Sequence, residues 1–256
     1  MHIGIVTLFP EMFTALTDYG VSGRACRSSV VQLDFWNPRD FTEDRHRTVD
    51  DHPYGGGPGM LMKTEPLVAA IRQARQRLLD NGREKKEQSI EVRTVYLSPQ
   101  GKPLNHTKVV ELSRLGSLVL ICGRYQGIDA RVIEKEVDEE ISLGDFVLSG
   151  GEIAAMAVVD ALLRLQPGVL GDEDCSRHDS FTEGLLHCPQ YTRPQEFEAL
   201  EVPPVLLSGD HAAIAAWSNK QSLGNTWLKR PDLLADLELT DEQKGLLNQF
   251  RDDFQS

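Results

Sequence analysis

Leu118-Val-Leu-Ile-Cys-Gly-Arg-Tyr-Gln-Gly-Ile-Asp129 opens with five apolar residues and changes character at Gly123. The apolar half predicts a buried β-strand, and the polar half predicts a turn rich in small residues. Glycine in such a turn lets backbone N–H and C=O groups approach a ligand that a Cβ would exclude. On open parallel sheets, ligands bind beyond the carboxyl ends of the strands, where this turn falls.

Working outward, further strand signals lie at 3–9, 30–36, 92–97 and 146–148. Helical patterns lie at 65–79, 104–115, 128–137 and 152–165, and Pro10 opens another through Met12, Phe13 and Leu16 that stops at Gly20. Strands alternating with helices predict an α/β fold, with a mostly parallel sheet covered on both faces. Residues 38–59 show no period and read as a long loop, and 80–91 read as a charged surface insertion. From 171 to 189 the chain is polar and plausible as a linker or lid, and beyond Pro194 it carries only helical signals and prolines. Asp210 and Thr240 are candidate N-caps there. The expected organisation is an α/β domain over 1–171, a linker over 172–190, and a small all-helical domain over 191–256.

Bulk properties narrow the function. Charged residues make up 26% and hydrophobic ones 40% of the 256 residues, a globular balance that argues against disorder. No apolar run approaches the roughly 20 residues of a membrane helix, and the N-terminus reads as a first strand rather than a signal peptide. A cytoplasmic protein with no membrane partner is expected. Cys26, Cys122, Cys175 and Cys188 show no C-x-x-C spacing, which argues against a disulfide framework or a zinc site. The net charge of −12 weakens a nucleic-acid reading without removing it, because placement matters more than the total. Acidic residues crowd 134–140 and 232–253, whereas basic ones gather at Arg24 and Arg27, at Arg45-His46-Arg47, and at Lys220 with Lys229-Arg230.

Three predicted strands run into small-residue turns: Leu97-Ser-Pro-Gln-Gly101, Cys122-Gly-Arg-Tyr-Gln-Gly127 and Leu148-Ser-Gly-Gly151. One such turn is ordinarily a tight corner, but three at equivalent strand ends point to a binding site. No G-x-x-x-x-G-K-[ST] occurs, and no G-x-G-x-x-G follows the first strand, which argues against a Walker-type ATPase and a dinucleotide dehydrogenase. A separate loop, Pro53-Tyr-Gly-Gly-Gly-Pro-Gly-Met60, follows the basic cluster and suits close passage of a phosphate backbone or a splayed base. Arg164 sits four residues after Asp160 and reads ordinarily as half of an ion pair, while Asp179 reads as a turn or cap residue. His46, His178 and His187 are too dispersed to suggest a metal site.

Taken together, Asp50-Asp-His-Pro-Tyr-Gly-Gly-Gly-Pro-Gly-Met60, Tyr96-Leu-Ser-Pro-Gln-Gly101, Cys122-Gly-Arg-Tyr125, Gly144-Asp-Phe-Val-Leu-Ser-Gly-Gly-Glu152 and Tyr191-Thr-Arg-Pro194 resemble the bacterial tRNA (guanine-N1)-methyltransferases, in family order and over nearly the whole chain. The resemblance implies a SPOUT-type sheet with a deep trefoil knot, an exception to the rule that chains are unknotted. It implies a homodimer with active sites at the interface, and S-adenosylmethionine held at Leu97, Ser98, Gln100, Gly123, Tyr125, Gly127, Ile128, Leu143, Gly144, Asp145, Phe146, Val147, Leu148, Gly150 and Gly151. The implied substrate is guanine at tRNA position 37, just 3′ of the anticodon. Arg24, His46, Tyr54, Gly55 and Gly59 would meet the anticodon stem-loop.

By the same resemblance Asp179 is the general base and Arg164 stabilises charge at guanine O6. A Mg²⁺ dependence is also implied, with no ligand assigned. Three positions depart from the family pattern: Gln126 stands where glutamate is usual, and His178 and His187 stand at positions often acidic. A knotted module that binds S-adenosylmethionine or RNA without turnover is the alternative reading.

Overall fold

The computed structural model describes residues 1–84, 91–171 and 179–255. The chain divides into two compact units, Met1–Gly171 and Asp172–Ser256. In the first, β1 (His2–Val6) leads through a 3-10 turn into α1 (Thr14–Thr17) and α2 (Gly20–Arg27). Then come β2 (Gln32–Trp36), the short strands β3 (Asp50–Asp51) and β4 (Leu61–Met62), and α3 (Thr64–Glu84). The unit closes with β5 (Val92–Pro103), α4 (His106–Ser113), β6 (Ser117–Cys122), α5 (Ala130–Glu136), β7 (Glu139–Ser142) and α6 (Glu152–Arg164).

The central sheet runs β2-β1-β6-β5-β7 with every pairing parallel. β6 lies in the middle and is buried along its whole length. Its side chains alternate between two cores, as a period of two requires. Leu118, Leu120 and Cys122 face a core shared with Leu112 of α4 and Ala155, Val158, Val159 and Leu162 of α6. Val119 and Ile121 face the other core, with Leu67, Ala70, Ile71, Ala74 and Leu78 of α3 and Val132 of α5. Each large aliphatic side chain withdrawn from water in this way contributes roughly 2 kcal/mol. Helices on both faces therefore lock the carboxyl ends of β6 and β5 in place, and those ends carry the site.

Several expectations are corrected. Residues 146–148 are not a strand: Phe146 is 54% and Val147 83% exposed. The fifth sheet strand is instead β7, which sits at the edge of the sheet and tolerates charge because Glu139 pairs with Lys108 at 2.8 Å. Gly20 does not end a helix; its positive φ (62°) turns the chain into α2. Helix α3 continues through the start of the expected surface insertion as far as Glu84, and the remainder of that insertion up to 90 lies outside the described residues. The long loop at 38–59 contains a 3-10 turn at Pro38–Phe41 and β3, which pairs antiparallel with β4.

In the second unit the long helices His211–Lys229 and Asp241–Gln255 pack together so closely at Gly224 that a Cβ there would enter the Phe250 ring. Asp210 caps the first, accepting from the amides of Ala212 and Ala213. Thr240 opens the second through a reciprocal box, its Oγ1 accepting from Gln243 N while Gln243 Oε1 accepts from Thr240 N. The unit is not helical throughout, because Glu196–Phe197 and Leu200–Glu201 form a hairpin. No helix among the described residues is long and apolar enough to cross a membrane.

Candidate active site

The first loop grows out of a break in β5. Pairing with β7 lapses after Leu97 and resumes at Lys102, so residues 98–101 stand out from the sheet. Ser98 Oγ accepts from Gln100 N at 3.1 Å and shapes this turn. Gly101 passes against the Glu140–Ile141 backbone, where a Cβ has no room.

The second loop, 123–127, leaves the end of β6 and closes with Gly127 N donating to Arg124 O at 3.0 Å. Tyr96 fills the space behind it. A Cβ on Gly123 would lie 2.8 Å from the Tyr96 hydroxyl, so glycine is needed there. Burial first, and then the Glu140 carboxylate, push that hydroxyl above its usual pKa and keep it neutral. Tyr125 adopts the left-handed conformation (φ 60°), which turns its ring outward.

The third loop, 143–151, is sewn onto the second. Gly151 N donates to Gly123 O at 2.9 Å, and Arg124 and Gly150 form an antiparallel bridge. A Cβ on Gly151 would come within 2.7 Å of Cys122 Cα. Together the loops line a cleft of about 260 Å³. Of the residues expected around S-adenosylmethionine, all but Ile128 and Asp145 line it. Ile128 is buried in the core under α3, and Asp145 is exposed.

The glycine-rich loop touches the second loop from the other side. Gln126 N donates to Met60 O at 2.9 Å, and Met62 N donates to Gly127 O at 3.1 Å. Gly59 lies under the Gln126 side chain, and the Tyr125 hydroxyl meets the side chains of Asp50 and Arg39. Burial, with the Asp50 carboxylate adding to it, raises the Tyr125 pKa. Beyond this seam Tyr54 is 98% exposed, and Gly55 projects into open space. His46 is also exposed, whereas Arg24 donates to Val169 O at 2.9 Å and so also braces the end of the unit. A roomier hollow of about 730 Å³ lies between this loop, α3 and α5. Its lining balances Lys63, Arg72, Arg131 and Lys135 against Asp51, Glu65, Asp129 and Glu136, so it does not select for an anion.

Arg164 is the last residue of α6, exposed, at the end of the helix that favours a cation. Asp179 lies in the second unit, half-buried in a cleft of about 360 Å³ with Glu183, His187, Cys188 and Gln190. His187 N donates to Ser180 Oγ at 3.0 Å, which folds this segment back on itself. His178 and Cys175 lie outside the described residues. Two of the basic groups noted in the sequence are engaged within the second unit, Lys220 with Asp253 at 2.5 Å and Arg230 with Asp232 at 2.6 Å. Among the described residues no group of three or more His, Cys, Asp or Glu side chains could hold a metal ion.

Tyr96, which shapes the second loop, and Glu152, whose carboxylate is fully buried beneath the cleft, stand in two of the quoted motifs, but the sequence assigns neither a role. The signal for Tyr96 was present, because it is a strand residue placed directly before the first loop.

A parallel sheet whose strand-end loops form a glycine-lined cleft defines an α/β protein with its cleft at the position where such sheets take small ligands. A profile of the family described as tRNA (Guanine-1)-methyltransferase TrmD matches residues 1–236. Relatives named tRNA (guanine-N(1)-)-methyltransferase include one from Edwardsiella ictaluri, 57% identical over 251 residues spanning 98% of this chain and 95% of that protein. Another, from Serratia marcescens, is 56% identical over 256 residues spanning 100% of this chain and 96% of its own. The chain belongs to this family.

Proposed function

We propose that this protein methylates N1 of guanine 37 of tRNA, the base 3′ of the anticodon, with S-adenosylmethionine as donor. The observation that carries the reading is the cleft of three interlocked loops. Glycines 123, 150 and 151 leave backbone groups bare there, and Leu97, Leu143 and Leu148 offer apolar walls. Such a lining suits an adenine and a methionine chain. When bound, the donor supplies an electrophilic methyl group on a sulfonium.

Everything else falls to the chain's own residues. Guanine N1 carries a proton, so its lone pair is not available until that proton leaves. Asp179 accepts it, and Arg164 offsets the negative charge that develops at O6. A carboxylate is a weaker base than the guanine N1 anion it must generate, so the charge stabilisation by Arg164 is integral to the step. Tyr54, Gly55, Gly59, His46 and Arg24 meet the anticodon stem-loop, and the second unit, with its linker, grips the same RNA.

The finer fold belongs to this proposal too: a SPOUT-type deep trefoil knot, supported by the tight passage of 150–151 against 122–124. So does a homodimer. The cleft is open and small, and a ligand of nucleoside-plus-amino-acid size would be partly uncovered without a second copy. The site of action is the cytoplasm, where tRNA is matured. No step is routed through Mg²⁺, because Gln126 presents a neutral amide and the described residues gather no set of ligands.

The test is transfer of labelled methyl from S-adenosylmethionine to unmodified tRNA, with guanine and adenine compared at position 37. The guanine transcript is expected to yield 1-methylguanosine and the adenine transcript nothing. Donor binding by calorimetry with no transfer to the guanine transcript would replace the enzyme by a binding module. Asp179→Ala is expected to slow single-turnover methylation by about 10²–10⁴-fold, the usual contribution of a positioned base, with donor affinity retained. Transfer at the wild-type rate would remove Asp179 from that role.

A further inference from the structure

Glu152 takes no part in the chemistry above, yet its side chain is 0% exposed. A buried carboxylate is costly unless paired and hydrogen-bonded, and apolar residues of similar size would pack the same space more favourably. Its surroundings show what the charge holds. Thr7, just beyond β1, donates from Oγ1 to Glu152 Oε1 at 2.9 Å. Arg124, in the second loop, places Nε 2.8 Å from Glu152 Oε2. Glu152 also lies in the first turn of α6, where a helix favours negative charge.

The Arg124 guanidinium continues outward from this anchor. Its Nη1 donates to Ser149 O at 3.3 Å, and its carbon stands 4.5 Å from the Phe9 ring centroid. Gly150 crosses it so closely that a Cβ would overlap the guanidinium. One buried charge thus ties the exit of β1, the second loop and the third loop into a single unit. Arg124 itself lines the cleft, while Glu152 does not.

We propose that Glu152 is a positioning residue for the donor site. By fixing Arg124, it holds the third loop closed against the second, so the cleft is formed before the donor arrives. Thr7 orients the carboxylate for this purpose. The inference rests on the reading that S-adenosylmethionine binds among these loops.

The experiment is calorimetric titration of S-adenosylmethionine into the full-length wild type, Glu152→Gln, Thr7→Val, and the double variant Glu152→Met/Arg124→Leu, with KM for donor and for tRNA measured separately. Arg124 Nε and Glu152 Oε2 are held by charge at 2.8 Å without hydrogen-bond geometry, so Glu152→Gln removes that attraction and is expected to weaken the donor by about tenfold. Thr7→Val, which removes the bond to Glu152 and the one that Thr7 Oγ1 accepts from Phe9 N, is expected to weaken it by about threefold or more. KM for tRNA should move by less than about twofold, which general destabilisation would not produce.

Should Glu152→Gln not fold, the double variant, which removes both charges, decides together with Thr7→Val. Because Arg124 lines the cleft, reduced affinity in the folded double variant supports the proposal only beside a loss in Thr7→Val, which leaves Arg124 in place; wild-type affinity in the double variant, in Thr7→Val or in folded Glu152→Gln overturns it. Wild-type protein that binds no S-adenosylmethionine would overturn the functional reading and this inference together. Wild-type binding with unchanged variants overturns this inference alone.

Discussion

The loops 53–59 and 143–151 are both rich in glycine, and they meet opposite sides of the turn at 123–127. In 143–151, glycine is demanded by neighbours: Gly150 lies against the Arg124 side chain and Gly151 against the Cys122 backbone. In 53–57 it is demanded by conformation alone, for Gly55, Gly56 and Gly57 have φ of 85°, 75° and 125° with no atom within 4 Å of a built Cβ. The first kind of glycine makes a cleft by letting two chain segments touch. The second kind leaves backbone facing solvent, ready for something outside the protein. Gly59 belongs between them, with both a positive φ and the Gln126 side chain overhead.

This difference can be broken by substitution. The largest effect is expected from Gly151→Val, which drives side-chain atoms into the β6 backbone: donor binding is lost, and the melting temperature falls by several degrees, in keeping with overpacking of about 1–3 kcal/mol. Unchanged calorimetric titration and thermal melting would show that the cleft is not built by this contact. Next comes Tyr54→Ala. With the ring 98% exposed, stability should not change, while loss of one stacked base would raise KM for tRNA by roughly tenfold. Steady-state kinetics with an unchanged KM would take the loop out of RNA recognition.

The smallest effect concerns Asp129, which follows the second loop and caps α5. The Arg131 side chain pairs with its carboxylate and Arg131 N donates to it at 2.8 Å, which together lower its pKa to about 2. A depressed folded-state pKa stabilises above the unfolded value, near 4, and that contribution disappears as pH falls toward 2. Thermal melts of the wild type between pH 5 and 2 should therefore decline more steeply than those of Asp129→Asn. Parallel declines would contradict the assignment.

Much of this was legible in the sequence, for reasons that particular residues show. β6 announced itself because Leu118 to Cys122 are all apolar and a central strand is buried on both sides. Two of the loops announced themselves because small residues cluster where β5 breaks and β6 ends, whereas the third was expected after a strand at 146–148 and instead follows β7. β7 did not, because an edge strand can carry Glu139 and Glu140 when Lys108 lies beside it. The apolar 146–148 mimicked a strand, although Phe146, Val147 and Leu148 line the cleft instead. Glu152 looked like an ordinary first-turn acid, because burial and the distant partners Thr7 and Arg124 exist only once the sheet has formed. The role proposed for Asp179 rests on resemblance alone, since an aspartate in a polar stretch has no local pattern that marks a base.

The most direct measurement is the affinity of S-adenosylmethionine, without tRNA, for Gly151→Ala beside Gly56→Ala. Both replace one hydrogen by one methyl, so composition cannot explain a difference. The account predicts that Gly56→Ala binds the donor as the wild type does, at a cost in stability of about 1–2 kcal/mol for its left-handed backbone, while Gly151→Ala loses most of its affinity. Equal affinities for the two variants, or a larger loss in Gly56→Ala, would contradict a donor site built by the contact of the second and third loops.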